Sequence, residues 1–176
     1  MVIWLIGMSG AGKTAIGSEI YSKIKSKSPN TVFLDGDSFR SIMGDDIGHT
    51  LADRKKNADR MCRICKFLDS QDIHVVCAIL SLFHESQTWN RENIDNYYEV
   101  YIEVSMDILI QRDPKGLYKK AMRGELKDFV GYDIKFPEPA NPDLIINNEG
   151  DKGIEEVAEE IWNSIPASYL QSNNKI

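Results

Sequence analysis

The chain has 176 residues and a mass of 20.0 kDa, with 42% hydrophobic and 27% charged residues, which suits one globular domain around a single core. Its net charge of −6 and pI near 5.1 argue against a nucleic-acid or anionic-membrane partner, so any basic site has to be local. No basic leader, lipidation signal or apolar stretch of membrane-spanning length is present, which makes the cytoplasm the expected location, and three cysteines are too few for a disulfide framework.

The first predicted element is the apolar strand at 2–6, followed by GMSGAGKT at 7–14 and an apolar-periodic helix at 13–25. Glycine, four residues, then Gly-Lys-Thr is the spacing of a phosphate-wrapping P-loop. Gly7, Gly10 and Gly12 let the backbone turn so that N–H groups converge on phosphate oxygens at a helix start. Residues Gly7, Ser9, Gly10, Ala11, Gly12, Lys13 and Thr14 are therefore the expected nucleotide contacts. Lys13 is placed to reach the β- and γ-phosphates, and the Thr14 hydroxyl to ligate the Mg2+ that accompanies ATP or GTP. A glycine-rich turn with a chance lysine is the plainer alternative, and the flanking strand and helix argue against it.

A second strand is expected at 31–34 and a helix at 38–43, with Asp35-Gly36-Asp37 between them and Arg40 in the helix. In a parallel sheet ligands bind beyond the carboxyl ends of strands, so these carboxylates belong beside the P-loop mouth. One can organise magnesium, and the other can accept a hydroxyl proton from an acceptor. The third helix is expected at 53–68 with Asp53 as its cap, and Arg54 and Asn57 share its leading face, suited to an anionic nucleotide or simply to solvent. Within it, Cys62-x-x-Cys65 reads as core packing, with no second pair nearby. His49, His74 and His84 are not spaced as a ligand cluster.

A third strand at 73–80 leads to Ser81, a helix follows at 87–94, and a fourth strand at 98–104 precedes a helix at 107–111 that Asp107 begins. Residues 112–141 are rich in Lys, Gly, Pro and aromatics and too long for an ordinary connection; residues 113–132 are expected to form a lid that excludes water. A strand at 144–146 and a helix at 152–165 complete the order, and the tail 171–176 is expected to fray. The alternation predicts an α/β fold, a P-loop NTPase-type parallel five-stranded sheet with helices on both faces, in one domain spanning 1–176.

Several separated motifs resemble the adenylylsulfate (APS) kinases: GMSGAGKT, LDGDSFR at 34–40, ADRKKN at 52–57, EPANPDL at 138–144, and above all RDPKGLYKKAMRGELKDFVG at 112–131. The resemblance implies Mg2+- and ATP-dependent phosphorylation of a nucleotide 3′-hydroxyl, and a homodimer. It makes Asp37 the catalytic carboxylate with Asp35 its neighbour, and Arg40, Arg54, Asn57, Leu80 and Ser81 acceptor contacts. The serine matched by Ser81 is a phosphorylation site in some bacterial members. Lys115, Lys119 and Phe129 correspond to lid residues that clamp and stack on nucleotides.

Departures from the family pattern gather on the acceptor side. His49 replaces a phenylalanine that helps hold the adenine, Asp59 replaces an arginine, Ser-Pro-Phe/Tyr-Arg becomes Ser81-Leu82-Phe83-His84, and Pro-Tyr-Glu becomes Phe136-Pro137-Glu138. Two permanent cations lost with the ATP half intact imply an acceptor that differs from APS in base or terminal group. A neutral-ended one such as cytidine diphosphoramidate, the acceptor of an APS-kinase-like enzyme of bacterial capsule modification, fits that expectation. An authentic APS kinase making 3′-phosphoadenylylsulfate for sulfate activation is the alternative. A nucleotide-dependent switch is the alternative of another class; it lacks the guanine-reading Asn-Lys-x-Asp and has no need of an acceptor carboxylate.

Overall fold

A computed structural model describes residues 1–43 and 48–170 of the chain. Five parallel strands, β1 Val2–Ile6, β2 Thr31–Asp35, β3 His74–Ile79, β4 Tyr97–Glu103 and β5 Leu144–Asn147, lie in the order β2-β3-β1-β4-β5. The central strand β1 pairs with β3 and β4 along its whole length, Leu5 facing Ala78 on one side and Val100 on the other. The expected parallel five-stranded sheet is what forms.

Helices cover both faces, as continuous apolar strands require. Ile3 and Leu5 of β1 point to the face occupied by α1 (Lys13–Lys27) and α7 (Ile154–Ser164), where they pack with Ile16, Ile20, Val157 and Ile161. Val2, Trp4 and Ile6 point the other way, among Met61, Cys62 and Cys65 of α3 (Leu51–Asp69). All five β1 side chains are fully buried, each contributing roughly 1.5–3 kcal/mol. Gly17 lets α1 lie close on the sheet, since a β-carbon there would stand 2.7 Å from the Phe33 ring.

The remaining helices are α2 Gly36–Ile42, α4 His84–Asn93, α5 Met106–Arg112 and α6 Leu117–Met122, with a 3-10 turn at Ala167–Leu170. Several expected boundaries move, that of α3 for a capping reason. The cap of α3 is Thr50, whose hydroxyl accepts from the Asp53 amide at 3.2 Å, so Asp53 sits in the first turn. Helix α5 starts one residue before Asp107, with Ser105 at the N-cap position but its hydroxyl donating to Glu149 Oε2 at 2.7 Å. Helix α4 begins at His84, three residues before Gln87. Helix α6 was not foreseen at all. The expectation for 171–176 lies outside the described residues. Cys62, Cys65 and Cys77 are all buried; burial pushes the Cys62 thiol up to about 12 and raises Cys77 too, so these thiols are packing groups.

Candidate active site

The carboxyl ends of β1, β2 and β3 open into one cleft of about 700 Å³, roofed by residues 114–117 and 126–130. Its floor at one end is the loop between β1 and α1. Gly10 and Gly12 have φ of 83° and 92°, so the loop reverses through conformations that favour glycine, and Gly12 is the N-cap of α1 with no side chain capping it. No acidic residue occupies the first turn, which leaves the positive helix end to a ligand.

Gly7 serves a different purpose from the expected turn. A β-carbon there would lie 2.7 Å from the Ile102 carbonyl oxygen, so glycine at 7 is required for the loop to pass β4. Ser9, Gly10, Gly12, Lys13 and Thr14 line the cleft, but Gly7 and Ala11 do not. Ala11 is buried, its amide donating to the Met8 carbonyl at 3.2 Å and its carbonyl accepting from Asn148 Nδ2 at 2.9 Å.

Lys13 is half-buried but carries its ammonium into the cleft, where Nζ donates to the Met8 carbonyl at 2.8 Å. Burial lowers its pKa to about 8 against the pull of Asp37 and Asp35. Thr14 Oγ1 donates to Asp35 Oδ2 at 2.8 Å, while Asp35 Oδ1 accepts from the amides of Asp37 and Ser38, capping α2. Asp35 therefore welds β2 to the P-loop. One step along α2, Asp37 is ion-paired with Lys115 from the loop before α6. Partial burial opposes its charge, yet the Lys115 hydrogen bond with Lys13 and Arg40 holds its carboxyl below the usual range.

The other end of the cleft is built from α2 and the start of α3. Arg40 donates through Nη1 to the Gly48 carbonyl, and Arg54 donates through Nε to the His49 carbonyl at 2.9 Å and through Nη2 to the Asp128 carbonyl at 3.2 Å. His49 also lines the cleft; burial, then Arg40 and Arg54, lowers its pKa, so the neutral ring is favoured. Two buried atoms of this wall, Arg40 Nε and Asn57 Oδ1, have no hydrogen-bond partner among the described residues. Both residues line the cleft, and an unfilled donor and an unfilled acceptor in one wall each call for a polar partner.

Phe129 lines the cleft beside them, its ring edge-on to Tyr118 at 4.9 Å.

Across residues 1–147 the chain matches the family model described as adenylylsulphate kinase. It belongs to the APS kinase family. It is 44% identical over 161 residues to the cytidine diphosphoramidate kinase of Campylobacter jejuni, covering 90% of this chain and 92% of that one. It is 37% identical over 149 residues to the probable adenylyl-sulfate kinase of Bacillus subtilis, covering 84% and 76%. The structure of the Mycobacterium tuberculosis APS kinase CysC in complex with AMPPNP and APS matches with a TM-score of 0.84 at 32% identity, over 93% of this chain and 95% of that one. The chain is thus a nucleotide kinase of this family, with P-loop kinase architecture. Among the described residues no helix is long and apolar enough to cross a membrane.

Against the family frame, some expected acceptor contacts lie elsewhere. Leu80 is in the cleft, but the Ser81 side chain turns away from it: Oγ accepts from Trp4 Nε1 at 3.4 Å and from Gln87 Nε2 at 3.3 Å, with the backbone at φ 51°. A 4%-exposed hydroxyl held from two sides is a strut of the β3 end. Lys119 is exposed and outside the cleft lining; its amide is fixed by Asp113 while its side chain points outward. Asp59 pairs with Lys55 on α3, and His84 Nε2 lies 2.7 Å from the Glu138 carbonyl in a smaller, separate cleft. Asp59 and His84 thus stand outside the lining of the main cleft, whereas His49 is part of it.

Three residues that sequence reasoning passed over support the loop. Asn148 bonds Ala11 from beyond β5, Arg112 Nη2 donates to the Asn148 carbonyl at 2.8 Å, and the Tyr118 hydroxyl donates to the Ser9 carbonyl at 3.0 Å. Asn148 follows a strand end, and the rule that sites gather there could have found it. Nothing in the sequence pointed to Tyr118 as a strut.

Proposed function

We propose that this APS-kinase-family enzyme transfers the γ-phosphoryl group of ATP to the 3′-hydroxyl of a nucleotide, with cytidine diphosphoramidate as the acceptor. The observation that carries the reading is the single cleft joining an uncapped P-loop helix end to a wall with an orphaned Arg40 Nε and Asn57 Oδ1, with Asp37 between them. Lys13 leaves the Met8 carbonyl for the β- and γ-phosphates. Asp37 takes the proton of the 3′-hydroxyl as its oxygen bonds to phosphorus and the bond to the ADP oxygen breaks. Thr14 and Asp35 present hard oxygen donors 2.8 Å apart beside the loop, a set that suits Mg2+. When bound, that ion neutralises phosphate charge. Arg40, Arg54, Asn57, His49 and Leu80 hold the acceptor, Phe129 offers a ring to a base, and residues 113–132, with Lys115, form the lid of a single kinase domain spanning 1–176.

Support for the cytidine compound comes from the C. jejuni relative at 44% identity and from His49 in the cleft where the family carries phenylalanine. The second reading, an APS kinase of sulfate activation, is favoured by Arg40 and Arg54 on the acceptor wall, two cations suited to a sulfated nucleotide, and by the likeness to an APS complex. We place the reaction in the cytoplasm, and the homodimer implied by the family is checked by light scattering. Parallel assays with ATP, Mg2+ and each acceptor decide the substrate through the ratio of kcat/KM. Preference for cytidine diphosphoramidate by about tenfold or more is expected; preference for APS overturns the first reading.

A further inference from the structure

Resting on that reading, we propose that Lys115 is a positioning residue that occupies Asp37 until donor phosphates draw it away, so that the carboxylate meets the acceptor hydroxyl only with the donor in place. The ion pair spans 78 residues of chain, from the loop between α5 and α6 to the first turn of α2, and crosses the mouth of the cleft. Both side chains are more than half exposed, 59% for Lys115 and 70% for Asp37, so the pair is of the weak, exchangeable kind.

The backbone under Lys115 is firm while its side chain is loose. Asp113, at φ 21°, accepts from the Tyr118 and Lys119 amides, and the Tyr118 hydroxyl grips the Ser9 carbonyl of the P-loop. Gly116 at φ 65° turns the chain between them. The base of Lys115 is thereby fixed to the loop that receives the phosphates, and only its four-carbon stem has to swing. Lys13, another cleft lysine, is likewise engaged by an internal acceptor, the Met8 carbonyl. Both ammonium groups thus rest on partners that a more highly charged anion outcompetes.

Among the described residues the groups facing Asp37 are Lys115 from the roof, Lys13 from α1, Arg40 from its own helix, and His49 and Arg54 from the far wall. Withdrawing Lys115 from that set frees the Asp37 oxygen it holds to meet the acceptor hydroxyl. The proton balance is unchanged: it passes from the 3′-hydroxyl to Asp37, and the freed electron pair forms the new bond to phosphorus. In the donor-free state the same carboxylate is spent on Lys115.

The test is a double-mutant cycle on donor binding without catalysis. Affinity for AMPPNP with Mg2+ is measured by calorimetry on the full chain as wild type, Asp37→Asn, Lys115→Met and the double variant, with Lys115→Arg as the conservative control. Asp37→Asn is expected to tighten binding more in the wild-type background than in the Lys115→Met background, by roughly two- to fivefold, the size of one exposed ion pair. Lys115→Arg is expected to retain the difference. An equal or smaller factor in the wild-type background overturns the proposal. Because no transfer is measured, failure here leaves the role of Asp37 in turnover standing, and loss of that role is read separately from kcat.

Discussion

The two ends of the cleft are built by different means. At the donor end, main-chain geometry makes the site: two positive-φ glycines, an uncapped helix start, and struts from Asn148 and Tyr118 behind the loop. At the acceptor end side chains make it, with Arg40 and Arg54 tied to carbonyls of Gly48, His49 and Asp128 and an amide oxygen of Asn57 left open. A main-chain site reads the triphosphate tail rather than the base, with Lys13 and Thr14 as its side-chain contributions. A side-chain site is rewritten one residue at a time, which is how a family keeps its chemistry and changes its acceptor.

The largest expected effect tests the donor end. Lys13→Ala should lower kcat/KM by about a thousandfold, because positioning and charge neutralisation supply nearly all catalysis of phosphoryl transfer. A coupled ADP-release assay measures it, and near-normal turnover would remove the lysine from its role. Asp37→Asn, at the junction of the two ends, should lower kcat by about a hundredfold or more without weakening AMPPNP binding. Equal losses in both would assign Asp37 to the donor end.

Smaller effects sharpen the contrast. His49→Phe should shift the kcat/KM ratio toward APS by about tenfold, the scale of one altered pocket contact, and an unchanged ratio would take the base-reading role from residue 49. The Lys13 pKa near 8 adds a pH signature. A phosphate beside Lys13 stabilises the ammonium and raises that pKa, so donor affinity is fully present below pH 8 and is lost above it, about tenfold by pH 9. Calorimetry across that range, with Lys13→Met as a flat control, reads the effect. The smallest expected change is for Asp59→Arg: lying outside the cleft and paired with Lys55, it should alter acceptor kcat/KM by less than about twofold. A large change would return residue 59 to the acceptor site.

Legibility in the sequence followed the same division. The strands were readable because buried parallel strands such as Val2–Ile6 are continuous apolar runs, and the P-loop because its glycines sit at fixed spacing. Helix α6 was not readable, since six residues opened by a positive-φ Gly116 and capped from a distance by Asp113 give no periodic signal. Side-chain direction was the other blind spot. Ser81 and Lys119 stand in the right stretches of chain, but Trp4 and Gln87 turn the serine inward and the α6 surface turns the lysine outward. Asp59 and His84 differ from the family pattern in the sequence yet meet Lys55 and Glu138 in the fold, contacts that no spacing rule anticipates.

The most direct test is a crystal structure of the enzyme with AMPPNP, Mg2+ and cytidine diphosphoramidate. The account predicts a donor tail in the P-loop and the acceptor 3′-hydroxyl within about 2.6–3.2 Å of an Asp37 carboxylate oxygen, in line with the γ-phosphorus. An acceptor hydroxyl bound away from Asp37, or a triphosphate seated outside the loop, would contradict it.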